Sequence, residues 1–284
     1  MLNANRSGQT RGSRVHIQVN DAALYVHQWG AGDPLLLLHG FTGSGESWSE
    51  VAELLASDHR VIAPDLLGHG QSDAPTAPER YRIGRCADDL IALLDVLKLA
   101  QVDLLGYSMG GRVGLYLALT YPTRVRRLVL ESASPGLNDS SARAARVAGD
   151  AALAEQIERD GVEAFIDYWE NIPLFESQRA LPGSVRERAR AGRLRNRAAG
   201  LANCLRGLST GAQSSLWNRL TELDIPTLLI AGALDVKFTD INRRMADALP
   251  QAQLAIFAEN GHSVHLESPG LYAQTVRDFL SAGG

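Results

Sequence analysis

Three residues of this sequence, a serine, an aspartate and a histidine, each follow an apolar run that is typical of a buried strand. Ser108 comes first along the chain, then Asp235, and His262 comes last. An imidazole can take the proton of a serine hydroxyl and return it, while a carboxylate fixes the imidazole tautomer. Ser108, Asp235 and His262 are therefore predicted to be the catalytic residues.

The segment around Ser108 has the sequence Gly-Tyr-Ser-Met-Gly, which indicates a sharp turn between a strand and a helix. Glycine lies two residues before and two residues after the serine, where a Cβ atom would collide with the turn. The turn exposes the Ser108 hydroxyl at the carboxyl end of the strand and directs the N–H of Met109 toward developing negative charge. The N–H of Phe41, which follows a His-Gly pair, is predicted to be the second donor of this oxyanion hole.

The elements that would hold these side chains alternate between strand and helix patterns. In chain order, strands are predicted at 16–20, 23–27, 35–38, 60–63, 102–105, 127–131, 226–231 and 253–257. Helices are predicted at 48–55 with Ser47 as its cap, 83–97, 113–119, 240–249 and 269–281. This alternation predicts a mostly parallel sheet with helices on both faces. Sites in such sheets form at the carboxyl ends of strands, so the three candidate residues are expected to converge.

The alternation is interrupted in the middle of the chain. Between 137 and 210 we find no good strand pattern, only helical segments rich in arginine, alanine and glutamate. We therefore predict a helical cap at 134–212, inserted between a first core part at 1–133 and a second core part at 213–284. Residues 1–12 are polar and are predicted to be a disordered tail.

The composition is ordinary for a globular protein. The net charge is −4 and hydrophobic residues make up 45%, so nothing global suggests a nucleic-acid partner. No apolar run is long enough to span a bilayer and no signal-peptide core is present, so a cytoplasmic location without membrane insertion is expected. Cys86 and Cys204 lie far apart and are predicted to be free buried thiols. No metal or other cofactor is expected, and a monomer and a homodimer both remain open.

The sequence resembles the α/β-hydrolase superfamily over nearly the whole chain. A narrower resemblance is to the 2-succinyl-6-hydroxy-2,4-cyclohexadiene-1-carboxylate synthases, the lyases of menaquinone biosynthesis. It is carried by segments at 106–112, 134–137, 173–175, 194–196, 211–217, 235–238 and 261–269, together with Trp169. One departure is Ala233, where the family pattern leads us to expect a glutamate outside the triad.

The resemblance implies an eight-stranded α/β-hydrolase fold and a reaction other than hydrolysis. The implied substrate is a cyclohexene carboxylate that bears a succinyl group and an enolpyruvyl group. The enzyme abstracts a ring proton, which drives elimination of pyruvate, and no acyl-enzyme need form. The Ser108–His262 pair would accept the proton. Three substrate carboxylates favour cationic side chains. The implied substrate-binding residues are Tyr107, Arg112, Arg146, Trp169, Arg195 and Lys237.

Two other functions remain open at this stage. A serine carboxylesterase or C–C bond hydrolase would use the same triad, with Ser108 as nucleophile or as activator of water, and would turn over p-nitrophenyl esters quickly. A noncatalytic small-ligand receptor on this fold would bind its ligand tightly with little or no turnover.

Structural roles are predicted for four further residues, which are His39, Asp65, His69 and Ser72.

Overall fold

The computed structural model describes residues 12–282, and an eight-stranded sheet lies at its centre. The strands are β1 (Ser13–Val19), β2 (Ala22–Trp29), β3 (Asp33–Leu38), β4 (His59–Pro64), β5 (Val102–Tyr107), β6 (Val125–Glu131), β7 (Thr227–Gly232) and β8 (Ala252–Phe257). Their order across the sheet is β1-β2-β4-β3-β5-β6-β7-β8. β2 is antiparallel to both of its neighbours, and every other pair is parallel. The predicted fold class is confirmed, whereas most of the predicted tail falls on 1–11, outside the described residues.

The helices lie between the strands, largely as the sequence pattern predicts. They are α1 (Ser49–Leu55), α2 (Ile83–Val96), α3 (Met109–Thr120), α4 (Ser140–Trp169), α5 (Gly183–Leu194), α6 (Ala198–Leu208), α7 (Val236–Ala248), α8 (Val264–Glu267) and α9 (Pro269–Ser281). Besides α3, which begins at Met109 and not at 113, two predicted starts are wrong. The first is that of α1, because Ser47 belongs to a 3₁₀ turn at Gly45–Trp48 that Ser44 caps. The second is that of α7, which begins directly after Asp235 because this residue is its N-cap.

The hydrophobic core has two layers, one on each face of the sheet. Alternate side chains of β3 point to opposite faces, as the two-residue period of a strand requires. Leu36 and Leu38 pack in the layer with α2 and α3, and Leu35 and Leu37 pack in the layer with α1 and α9. All four leucines are fully buried. The run 35–38 is continuously apolar because both faces of the strand are covered.

The chain between β6 and β7, all of which the structure describes, contains helices and 3₁₀ turns but no strand. We call residues 134–212 the helical segment. Its helices share a small core of their own, in which Phe165 and Ile166 of α4 pack near Leu201 and Leu205 of α6. α4 changes direction at Gly161, where φ is +84°. The helical segment therefore has apolar contacts of its own, while Cys204 and Leu208 of α6 also belong to the core layer that contains α2 and α3.

Candidate active site

The turn after β5 holds Ser108 in a strained conformation. Ser108 has φ +50° and ψ −107°, a region that residues with a side chain rarely adopt. Its N–H donates to the carbonyl oxygen of Glu131 at 2.8 Å. Gly110 leaves the space that the turn requires, because a Cβ atom there would lie 2.2 Å from the carbonyl oxygen of Leu38. The strand, turn and helix thus present the Ser108 hydroxyl at the edge of the sheet.

The loops after β7 and β8 are joined by backbone contacts, and this brings an aspartate and a histidine together. The N–H of Leu234 donates to the carbonyl oxygen of Asn260 at 3.0 Å. Gly232 permits this approach, because its Cβ atom would lie 2.1 Å from the same oxygen. The carboxylate of Asp235 then lies 2.6 Å from Nδ1 of His262.

Ser108, His262 and Asp235 form one hydrogen-bonded chain. Nε2 of His262 lies 3.1 Å from Oγ of Ser108. Because Nδ1 faces a carboxylate, this nitrogen carries the proton and donates, which leaves Nε2 free to accept the serine proton. His262 and Asp235 are both buried. The sequence-predicted residues therefore meet in a geometry suited to moving a proton between Ser108 and His262.

The two predicted oxyanion donors border the same space as the serine. Phe41 and Met109 both line the cavity into which Ser108 opens. Within residues 12–282, neither backbone N–H donates to a protein acceptor. Both groups are therefore available to an oxyanion, and their role stays a prediction.

A cavity of about 420 Å³ lies in front of the triad, under the helical segment. One part of its wall is aromatic: the rings of Phe41 and Trp169 are 5.5 Å apart, and those of Trp169 and Phe175 are 5.7 Å apart. Another part is polar, with Ser132 and Ser134 next to cationic side chains. A cavity of this size and mixed character suits a small amphipathic molecule that carries negative charge.

Arg112 is the most buried of the cations that line the cavity, at 9% exposure. Its guanidinium donates to Oε1 of Gln213 at 2.5 Å and to the carbonyl oxygen of Leu208 at 2.8 Å. Within the described part of the chain it forms no ion pair with a carboxylate. Burial lowers the pKa of Arg112 to about 10, because its charge has lost much of its hydration. A buried cation of this kind is well suited to bind an anion.

Arg146 and Lys237 reach the same cavity but differ in their partners. Nε of Arg146 lies 2.6 Å from Oδ2 of Asp150, a buried carboxylate that also lines the cavity. The ammonium of Lys237 lies over the ring of Phe238, 5.7 Å from its centroid, and forms no ion pair within residues 12–282. The structure thus brings both predicted cations to the site, with Arg146 already neutralised in part.

Tyr107 and Trp169 also line the cavity, as the resemblance implied. The Tyr107 hydroxyl is hydrogen-bonded to Oγ of Ser263 at 2.7 Å. Nε1 of Trp169 is a buried donor without a protein acceptor in the described residues. The indole N–H is therefore free for a ligand, whereas the Tyr107 hydroxyl already has a partner.

Arg195 is not brought to the cavity, which corrects its predicted position. Its side chain is 52% exposed and forms an ion pair with Glu46 on the outer surface. Arg193, two residues earlier, contacts a residue of the cavity wall: its guanidinium lies 5.5 Å from the centroid of the Phe175 ring. Arg193 lies in the last turn of α5 and Arg195 is its C-cap with helical dihedral angles, so about 200° of helix rotation directs the two side chains in nearly opposite directions.

The four residues predicted to be structural do form internal contacts. Asp65 accepts hydrogen bonds from the N–H groups of Gly45 and Gln71, and Ser72 Oγ donates to the Asp65 carbonyl oxygen. Nε2 of His39 accepts from the N–H of Leu66 at 2.9 Å, and Nδ1 of His69 donates to the carbonyl oxygen of Leu67 at 3.2 Å. These contacts hold the loop after β4 against the rest of the sheet.

Three residues of the site carried no predicted role. Gln213 accepts a hydrogen bond from Arg112, Asp150 neutralises Arg146, and Ser132 has a buried hydroxyl without a protein partner in the described part of the chain. Gln213 belongs to the segment at 211–217 that carries the family resemblance, which is the one signal in the sequence that pointed to it.

The family model described as the alpha/beta hydrolase fold matches residues 33–269. This agrees with the eight-stranded sheet and with the Ser-His-Asp arrangement at its edge. The chain belongs to the α/β-hydrolase family.

Several relatives of this chain define a smaller group within the α/β-hydrolase family. A protein of Bacillus subtilis strain 168, provisionally named 2-succinyl-6-hydroxy-2,4-cyclohexadiene-1-carboxylate synthase, is 48% identical over 94% of this chain and 98% of its own length. The synthase of Pectobacterium atrosepticum is 34% identical over 87% of this chain and 93% of its own length. The solved structure of MenH from S. aureus has a TM-score of 0.87 at 33% identity, covering 90% of this chain and 98% of that one. Within the α/β-hydrolase family, the chain therefore belongs to these synthases.

None of the helices in residues 12–282 is both long enough and apolar enough to cross a membrane.

Proposed function

We propose that this chain eliminates pyruvate from 2-succinyl-5-enolpyruvyl-6-hydroxy-3-cyclohexene-1-carboxylate to give 2-succinyl-6-hydroxy-2,4-cyclohexadiene-1-carboxylate, a step of menaquinone biosynthesis. The observation that carries this proposal is the position of the Ser108–His262 pair. It opens onto a cavity whose wall contains the buried cation of Arg112 with no carboxylate against it. An acidic small molecule with an abstractable proton suits both features.

The proposed reaction is a proton transfer coupled to cleavage of a C–O bond. His262 takes the hydroxyl proton of Ser108, and the serine oxygen takes the ring proton next to the succinyl carbonyl. The electron pair moves into the ring and breaks the bond to the enolpyruvyl oxygen. His262 returns a proton to the departing oxygen, and the released enol tautomerises to pyruvate. Asp235 stabilises the imidazolium during these steps, since it faces Nδ1 at 2.6 Å.

The enolate formed in this reaction would place negative charge on the succinyl oxygen. The N–H groups of Phe41 and Met109 are the proposed donors to that oxygen. The substrate carboxylates would lie toward Arg112, Arg146 and Lys237, and the ring would lie toward the aromatic wall. In this proposal, residues 134–212 act as a cap that closes the cavity over the substrate.

The proposed partner is thus a small polycarboxylate. We propose no role for nucleic acid or for membrane insertion. A cytoplasmic monomer or homodimer fits an enzyme that receives its substrate from another enzyme of the same pathway. Size-exclusion chromatography of the purified protein with light scattering measures which assembly forms.

The test couples the protein to the preceding enzyme of the pathway and follows pyruvate with lactate dehydrogenase and NADH. Pyruvate should appear much faster than in a matched reaction without the protein. Absence of this acceleration, together with fast hydrolysis of neutral p-nitrophenyl esters, would favour a hydrolase. The comparisons favour the synthase over the hydrolase and over a noncatalytic receptor.

A further inference from the structure

The guanidinium of Arg112 is held by two acceptors that carry no charge. One is the side-chain amide of Gln213 and the other is the carbonyl oxygen of Leu208. Because a guanidinium only donates, the amide oxygen of Gln213 must face Arg112 and its NH₂ group must face away. Buried arginines are ordinarily paired with carboxylates, so two neutral acceptors are an unusual solution.

A carboxylate in the wall of the cavity does not replace this missing partner. Asp150 lines the same cavity, but its carboxylate is held at 2.6 Å by Arg146. Arg112 therefore keeps its positive charge, fixed in direction and open to the cavity. A ligand carboxylate that enters would meet a cation already stripped of water and would displace no counter-ion.

Packing fixes the amide of Gln213 in this position. The side chain is 4% exposed, and its Nε2 atom lies 2.9 Å from the place that a Cβ atom on Gly136 would occupy. Gly136 has φ +96°, so this position favours glycine on backbone grounds as well. The backbone N–H of Gln213 is held in turn by the carbonyl oxygen of Ser209 at 3.2 Å.

From this arrangement we infer that Gln213 is a positioning residue whose neutrality is required: it orients the Arg112 guanidinium toward the cavity while leaving its charge uncompensated for a substrate carboxylate. A glutamate of the same shape would keep the hydrogen bond and the packing, but it would neutralise the cation. The inference rests on the proposed function, because it assigns Arg112 to a substrate carboxylate.

The decisive variant is Gln213→Glu, which changes charge with almost no change in shape. We expect kcat/KM for pyruvate release to fall by about 30-fold or more, mainly through KM, since a buried charge pair would have to be broken for the substrate to bind. The dissociation constant of succinate, used as a dicarboxylate probe, should rise by about tenfold or more. The melting temperature should stay the same or rise, because the variant gains an ion pair. A merely structural role would not lower anion affinity while preserving stability.

The matched control is Gln28→Glu. Gln28 also accepts hydrogen bonds from an arginine, Arg60, at 2.8 and 3.3 Å, but it lies on β2 away from the cavity. This variant should change kcat/KM and succinate binding by less than about twofold. A second variant, Gln213→Met, removes the acceptor without adding charge. It should also raise KM, because Arg112 loses its orientation.

The outcomes separate this inference from the proposed function. If the wild-type protein binds succinate but releases no pyruvate, the proposed function is wrong. The succinate dissociation constants of the wild type and of Gln213→Glu would still test the role inferred for Gln213. If the wild type releases pyruvate and Gln213→Glu matches it in KM and in succinate affinity, the inference is overturned and the function stands. A wild type that neither binds succinate nor releases pyruvate would overturn both.

Discussion

Nε2 of His262 lies 3.1 Å from Oγ of Ser108, although 154 positions separate the two residues along the chain. Contacts at Ser108 and contacts next to His262 both maintain this distance. The strained turn after β5 fixes the serine, and Glu267 accepts a hydrogen bond from the N–H of Gly261 next to the histidine at 2.6 Å. The pair is therefore organised for proton transfer by contacts of the protein itself.

Replacing either member of this pair should remove most of the activity and leave the fold intact. Ser108→Ala and His262→Ala should each lower kcat for pyruvate release by about 100-fold or more, the range of a lost general base. Circular dichroism and thermal unfolding should match the wild type. Pyruvate release near the wild-type rate by Ser108→Ala would reject the role that we assign to the serine.

Removing the buried cation should weaken binding of the substrate, whereas removing an outer arginine should not. Arg112→Ala leaves a desolvated carboxylate unpaired, which costs about 2–5 kcal/mol, or roughly a 30-fold to several-thousand-fold loss of kcat/KM. Lys237→Ala should lose less, because Lys237 is exposed. Arg195→Ala is the matched control and should change kcat/KM by less than about twofold, since this side chain pairs with Glu46 outside the cavity. Equal losses in Arg112→Ala and Arg195→Ala would show that burial of Arg112 has no part in binding.

The stability of the fold should depend on pH through a buried histidine. Burial and the neighbouring His39 lower the pKa of His69 to about 3, whereas the unfolded chain has a value near 6.5. Between these values the unfolded state binds a proton that the folded state does not. Stability should therefore fall as the pH drops below 6.5, by up to about 1.4 kcal/mol per pH unit.

The measurement for this prediction is urea unfolding of the wild type and of His69→Gln between pH 4 and pH 8. The stability difference between the two proteins should shrink or reverse as the pH falls, and should be constant above pH 7. Parallel curves over the whole range would contradict the assignment of this pH dependence to His69.

Two glycine-to-alanine substitutions should have opposite effects on stability. In Gly110→Ala the new Cβ atom meets the carbonyl oxygen of Leu38 at 2.2 Å, so the turn after β5 must move and both stability and activity should fall. In Gly149→Ala no atom outside the adjacent residues and the backbone of the same helix lies within 4 Å of the new Cβ, and the position is inside α4. This variant should gain about 0.5–1 kcal/mol from helix propensity. Thermal unfolding of both variants checks the pair, and a stable, active Gly110→Ala would show that the turn tolerates a side chain.

The sequence alone was sufficient for the elements that depend on local patterns. The apolar run 35–38 predicted a doubly buried strand, and the glycines around Ser108 predicted the turn before α3. The positions of Ser108, Asp235 and His262 after strand patterns predicted that they meet at one edge of the sheet. These features depend on the side-chain period and on turn geometry, which a short stretch of chain specifies by itself.

Only the tertiary structure decided which polar groups meet within the site. Nothing local distinguishes Arg195 from Arg193, because the direction that each side chain takes at the end of α5 depends on how this helix packs. The contact between Arg112 and Gln213 joins residues 101 positions apart and arises where α3 meets the chain after α6. Partners of this kind are selected by the packing of separate elements, which the pattern within each element does not record. The sequence therefore determined where the candidate catalytic groups lie, and the fold determined which charges around them stay uncompensated.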